Sequence, residues 1–147
     1  MYPLHAETIV FHLVLMRAYY NKKWTTRADI YFSKALAVLE HHWGPFHPLQ
    51  ITVYGLMANM MIESNLLSPA MHLLESSLSC CLSVLGPNHI VTAEVHVDLG
   101  KLQVRTGMHT NALQHFKQSY LVYKSYFGGG ALDTAKSALQ VACIQED

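Results

Sequence analysis

Charge is scarce in this chain. Only 14% of the 147 residues are Asp, Glu, Lys or Arg, against a usual share of about 25%. Ten basic residues balance ten acidic ones, so there is no basic excess of the kind that phosphate backbones or anionic lipids select. Nucleic acid and a polybasic membrane anchor are therefore excluded as the expected partners. Cysteine is nearly absent too: Cys80, Cys81 and Cys143 form no C-x-x-C and no disulfide framework, which predicts reduced thiols and a cytoplasmic location. No basic-then-apolar leader opens the sequence. The longest stretch without a charged residue, His41 to Ile62, is broken by Gly44, Pro45, Pro48, Gln50 and Asn59, so it predicts no bilayer span. Metal and nucleophile signatures are missing: there is no H-E-x-x-H, no G-x-S-x-G and no Gly-Lys-Ser/Thr after Gly128-Gly129-Gly130. An enzyme is not expected, nor any cofactor or metal. What remains is a chain that is 51% hydrophobic, too apolar for disorder. With so few charges, it is expected to meet a partner or to belong to something longer.

The chain repeats itself. Gly44, Gly86 and Gly128 stand 42 residues apart, with Pro45 and Pro87 beside two of them and Pro3 one period earlier. His5, His47 and His89 share a phase. So do Ala28, Ala70 and Ala112; Phe32, Leu74 and Phe116; and Ala35, Ser77 and Ser119. Agreement at several independent positions over three copies marks a structural repeat. Within each copy, apolar residues recur at helical spacing in two stretches, and no sustained period-two alternation occurs.

The turns supply a mechanism. Lys23, Asn65 and Gly107 share the phase where a first helix ends, a position that often needs positive φ. Thr26, Ser68 and Thr110 follow as expected N-caps of the second helix, with Pro69 expected at the first helical position. Gly-Pro-x-His then closes the first two copies, with the histidine expected to bond to nearby backbone, and a degenerate Gly-Gly-Gly-Ala closes the third. Ala58 and Gly100 are small where two helices approach, and Phe32, Leu74 and Phe116 are candidates to fill the facing space. Each copy is thus a helical hairpin that buries one face internally and one on its neighbour.

These residues resemble the tetratricopeptide repeat: Gly107 to Ala112, an aromatic or Leu four residues on, and a small residue three beyond. The standard repeat is about 34 residues. The 42-residue period and the run Ala35 to Pro48 (A-L-A-V-L-E-H-H-W-G-P-F-H-P) are similar to the long-helix subtype of kinesin light chains and of the clustered mitochondria protein. Armadillo and HEAT repeats have a similar period but not this Gly/Ala/Phe spacing. The resemblance implies an all-α, right-handed solenoid of about three hairpins. The copies span about 5–46, 47–88 and 89–130, and a C-terminal capping half-repeat follows at about 131–147, its inward face at Ala138, Val141 and Ala142. It also implies a short form or piece of a longer array.

In that family the first helices line a concave face. Carrying its groove positions over by phase gives one row of Arg17, Asn59 and Lys101. A second is Asn21, Glu63 and Arg105, beside Tyr20, Ile62 and Val104, and a third is Val10, Thr52 and Glu94. The resemblance implies that an extended peptide or partner domain lies there, its carbonyls and acidic groups meeting the donors. The paired asparagines with which kinesin light chains clamp a peptide are replaced by Leu13-Val14, Gly55-Leu56 and Val97-Asp98, so that particular mode is not expected. The runner-up is a structural appendage packed in cis against a catalytic domain, as in the C-terminal domains of SET-and-MYND lysine methyltransferases, which have a similar G-P-x-H-P loop. Self-association through the first repeat is a third possibility. Trp43 is expected in the core, and Trp24 either as a plug under its turn or as a surface anchor.

Overall fold

In the computed structural model, residues 2–132 are described, together with Lys136, Gln140, Cys143 and Ile144; residues 2–6 are described for the backbone only. Six helices follow one another: α1 Tyr2–Asn21, α2 Thr25–Trp43, α3 Pro48–Glu63, α4 Leu67–Val84, α5 Ile90–Arg105 and α6 His109–Phe127. No strand occurs among the described residues. The fold is all-α, built of three consecutive hairpins. The expected capping half-repeat, with Ala138, Val141 and Ala142, lies outside the described residues apart from Ala131, Leu132, Lys136, Gln140, Cys143 and Ile144.

The hairpin turns show why residues of one phase recur. Trp24 N donates to Tyr19 O at 3.0 Å and Lys23 N to Tyr20 O at 2.9 Å. The same pair of bonds recurs as Leu66 N to Met61 O with Asn65 N to Ile62 O, and as Met108 N to Gln103 O with Gly107 N to Val104 O. This is the Schellman closure, which puts one residue in the left-handed region. Lys23 (φ 61°), Asn65 (φ 60°) and Gly107 (φ 80°) are those residues. Each closure satisfies carbonyls that a helix end leaves open.

The turns between copies use a different device. Gly44 has φ 86° and ψ −177°, and Gly128 has φ 78° and ψ 168°, a region that only glycine populates readily. Next comes a histidine cap. His47 Nδ1 accepts from Leu49 N at 3.2 Å, while Gln50 Oε1 accepts from His47 N at 3.0 Å, and Pro48 opens α3 where its missing N–H costs nothing. His89 Nδ1 accepts from Val91 N at 3.1 Å in the same way. In the first copy, α1 begins at Tyr2, which places His5 inside the helix rather than before it.

The Thr26 and Thr110 caps are corrected by the structure. Helix α2 starts at Thr25 after Trp24, and α6 at His109 after Met108, neither with a side-chain cap. Helix α4 starts at Leu67, so Ser68 and Pro69 already lie in its first turn. The Schellman closure leads straight into the next helix and leaves no room for a capping residue at the expected place.

The chain divides into two compact units at Leu73/Leu74, inside α4. In the first unit, Met16, Tyr20, Ala28, Met57 and Met60 form one buried cluster, and Ile9, Ala35, Leu39 and Val53 another. Trp43, half-buried, packs on the second cluster. In the second unit, Ala93, Val122 and Tyr123 are buried with Ile90 and Val97 against them. Phe116 is 2% exposed, and its ring lies where a Cβ on Gly100 would sit, 2.6 Å from Cε1. The expected small-to-large pairing is present here. Each fully buried Leu, Met or Phe contributes roughly 1.5–3 kcal/mol.

Candidate functional site

The first helix of each hairpin exposes a side that its partner helix does not cover. On α1 that side is apolar: Val10 and Val14, one turn apart, are 58% and 61% exposed. With Leu13, Met16 and Arg17 of α1 and Leu56 and Met60 of α3 they line a hollow of about 270 Å³. Apart from Arg17, every lining side chain is Val, Leu or Met, so the wall is apolar. Arg17 is its single cationic residue.

In the second unit the corresponding side of α5 is polar. Glu94, Val97, Asp98 and Lys101 line a space of about 410 Å³ with Tyr123, Lys136 and Gln140. Desolvation pushes the Asp98 carboxyl up from its ordinary value, and the Lys101 ammonium draws it back down. One turn further along, Lys101, Val104 and Arg105 meet Phe116, Gln140, Cys143 and Ile144 around about 440 Å³. This second hollow has a hydrocarbon floor between two cations, a combination suited to an apolar side chain next to an acidic one.

The structure distributes the expected groove residues unevenly. Arg17 and Asn59 are exposed in the first unit, but Asn59 does not line the Arg17 hollow. Asn21 and Glu63 are exposed at the last positions of α1 and α3, and Ile62 is half-buried. Val10 and Thr52 are exposed, as is Glu94. Lys101, Val104 and Arg105 come together around one hollow of the second unit. Tyr20 is a correction. It is 7% exposed, belongs to the Met16–Met57 cluster, and its hydroxyl has no hydrogen-bond partner among the described residues. It lies one turn after Met16 on the face that packs against α2 and α3, so it cannot receive a ligand.

Trp24 is also settled. It is 50% exposed and stacks on Tyr19 at 5.9 Å, a surface ring rather than a buried plug.

Several features were not foreseen. Phe116, Lys136, Gln140, Cys143 and Ile144 complete the second-unit hollows; the spacing of the last four along one helical face was the signal available. His96 and His115 meet across α5 and α6, Nδ1 to Nδ1 at 2.8 Å. One ring must donate and the other accept. Desolvation, then the His115 neighbour, lowers His96 to about 4; desolvation also lowers His115, against the pull of Glu75. Burial and the Cys80 neighbour raise the Cys81 thiol to about 11, so it is no nucleophile. Among the described residues no group of three or more His, Cys, Asp or Glu is placed to hold a metal, and no helix is long and apolar enough to cross a membrane.

Residues 70–125 match the family model of the tetratricopeptide repeat. That stretch, from α4 into α6, has the tetratricopeptide-repeat pattern. Solved structures agree in fold. BtubC (BKLC) from P. vanneervenii superposes with a TM-score of 0.76 over 92% of this chain and 53% of that one, at 12% identity. The N-terminal domain of stress-induced protein-1 (STI-1) from C. elegans superposes with a TM-score of 0.69 over 96% of this chain and 97% of that one, at 16% identity. In sequence, 82 residues are 27% identical to protein-lysine N-methyltransferase SMYD4 of Danio rerio. The match takes in 56% of this chain and 11% of that protein.

Proposed function

We propose that this repeat chain is a non-enzymatic, cytoplasmic interaction scaffold that holds a peptide segment or partner domain against the exposed side of its first helices. The observation that carries this reading is the apolar hollow of α1 and α3 with Arg17 on its lining, together with the Lys101–Val104–Arg105 hollow of the second unit. A hollow of a few hundred Å³ with hydrocarbon walls and one or two donors suits single side chains of an extended segment. Asn59, with Asn21 and Glu63 at the helix ends, adds hydrogen-bonding groups for its backbone. Changing Arg17 and Lys101 together to Glu tests it: capture of acidic-apolar peptides from an immobilised peptide library is expected to fall severalfold while the helical circular dichroism is unchanged. Capture unchanged by the double substitution overturns the reading.

A second reading has its own support. The match to a segment of a lysine methyltransferase, and the bare Val10, Phe11 and Val14 on α1, fit a repeat array that packs in cis on a catalytic domain. Co-expression of this chain with a SET-and-MYND catalytic domain tests it; a stable complex that is lost on Val10→Asp with Val14→Asp supports it, and separate elution counts against it.

A further inference from the structure

The formal charge of zero hides a strong local imbalance. Five of the ten lysines and arginines (Arg17, Lys22, Lys23, Arg27 and Lys34) fall within eighteen residues that hold one carboxylate, Asp29. Three of the five, Lys22, Lys23 and Arg27, gather where α1 turns into α2, beside a column of rings that runs along α2 to Lys34. Tyr19 stacks on Tyr31, at 5.3 Å and 3°, and on Trp24, at 5.9 Å and 20°. The Arg27 guanidinium sits 5.0 Å from the Trp24 ring and 5.7 Å from Tyr19. Lys22 Nζ is 5.8 Å from Trp24, and Lys34 Nζ is 5.2 Å from Tyr31. Among the described residues no carboxylate forms an ion pair with Lys22, Lys23, Arg27 or Lys34. Lys22, Arg27 and Lys34 lie over ring faces instead, and all three are exposed to solvent.

Ligand classes differ in what they ask of such a surface. Single-stranded nucleic acid asks for open ring faces on which bases stack, whereas Tyr19 already stacks on two rings and Trp24 already carries Tyr19 and two cations. A lipid surface asks for apolar side chains that project past the cations, but Trp24 lies flat against Tyr19. A run of carboxylates asks only for several fixed donors at short intervals, and the planar Arg27 edge suits a bidentate carboxylate.

We propose that the α1–α2 turn is a docking surface for an acidic protein segment, with Lys22, Arg27 and Lys34 taking its carboxylates and the exposed half of Trp24 taking an apolar side chain among them. The surface is separate from the groove of the preceding section and does not depend on it. Because the contacts are rim charges, they act on encounter and weaken steeply with salt.

The test uses the whole chain and a fluorescent glutamate-rich peptide containing one phenylalanine, with anisotropy followed at low and at physiological salt. Saturable binding is expected, weakened at least about tenfold by Lys22→Glu with Arg27→Glu and by added salt. In a chain that already carries the groove changes Arg17→Glu and Lys101→Glu, part of the saturable binding is expected to remain and to be lost when Lys22→Glu with Arg27→Glu is added. If the double variant loses helicity, Lys34→Glu, in mid-helix and clear of the turn, is expected to show the same direction alone. Oligouridylate and phosphatidylserine vesicles are titrated in parallel. No peptide saturation, unchanged affinity in the charge-reversed chains, or tighter binding of the oligonucleotide or the vesicles overturns the proposal.

Discussion

Gly100 and Lys23 hold opposite kinds of tension. At Gly100 the helix interior tolerates no side chain, because Phe116 fills the space to within 2.6 Å of a Cβ. Alanine normally gains up to about 1 kcal/mol over glycine in a helix. Here Gly100→Ala is expected to destabilise by roughly 1–3 kcal/mol, since the buried ring has nowhere to move; urea unfolding followed by circular dichroism measures it. At Lys23 the side chain is free but the backbone is strained, with φ at 61°. Lys23→Gly is expected to stabilise by about 0.5–1 kcal/mol, the left-handed penalty less the added chain entropy. Gly107→Val, at φ 80°, is expected to lower the melting temperature, and an unaltered melt would refute the turn assignment. Both turn positions were legible from the shared phase of Lys23, Asn65 and Gly107. Tyr20 was not, because the repeat phase fixes only where a residue sits on its helix. Tyr20, Ile62 and Val104 share a phase, yet one is buried, one half-buried and one exposed. Neighbour size decides this: Met16 precedes Tyr20 by one turn where Ala58 and Gly100 precede the others.

Between elements, two histidine devices do different work. The histidine caps join a glycine turn to a helix start: His47 accepts from Leu49 N and is held by Gln50. His47→Ala is expected to cost about 1 kcal/mol, the usual worth of an N-cap, and His47→Asn is expected to restore most of it; thermal melts of the two variants check this. The cap was readable as a turn histidine because it recurs with Gly-Pro. The His96–His115 pair does not recur, so nothing in the periodicity announced it. Its consequence is a pH dependence. The folded His96 is lowered to about 4 from an ordinary 6.5, so between these values the unfolded chain binds the extra proton. Stability is therefore fully present above pH 6.5 and falls as pH drops towards 4, by on the order of 3 kcal/mol. His96→Gln is expected to flatten that slope in urea titrations at successive pH values.

For the chain as a whole, balanced charge has a direct consequence. With ten charges of each sign and an isoelectric point near 7.2, electrostatic repulsion between copies vanishes near neutrality. Light scattering is expected to peak close to pH 7.2 and to decline on either side. The same neutrality led to the exclusion of strongly charged partners, yet it averages over a cationic turn at α1–α2 that becomes visible only once the ring column is assembled. Order along the chain was sufficient for the hairpins, because helix spacing, Schellman residues and glycine-proline punctuation are local, and a 42-residue stride writes them three times. The Arg17 hollow, the Lys101–Arg105 hollow and the burial of Tyr20 arise from contacts between residues far apart in the chain. Such contacts depend on how side-chain volumes from different helices fit together, which no single stretch of sequence encodes.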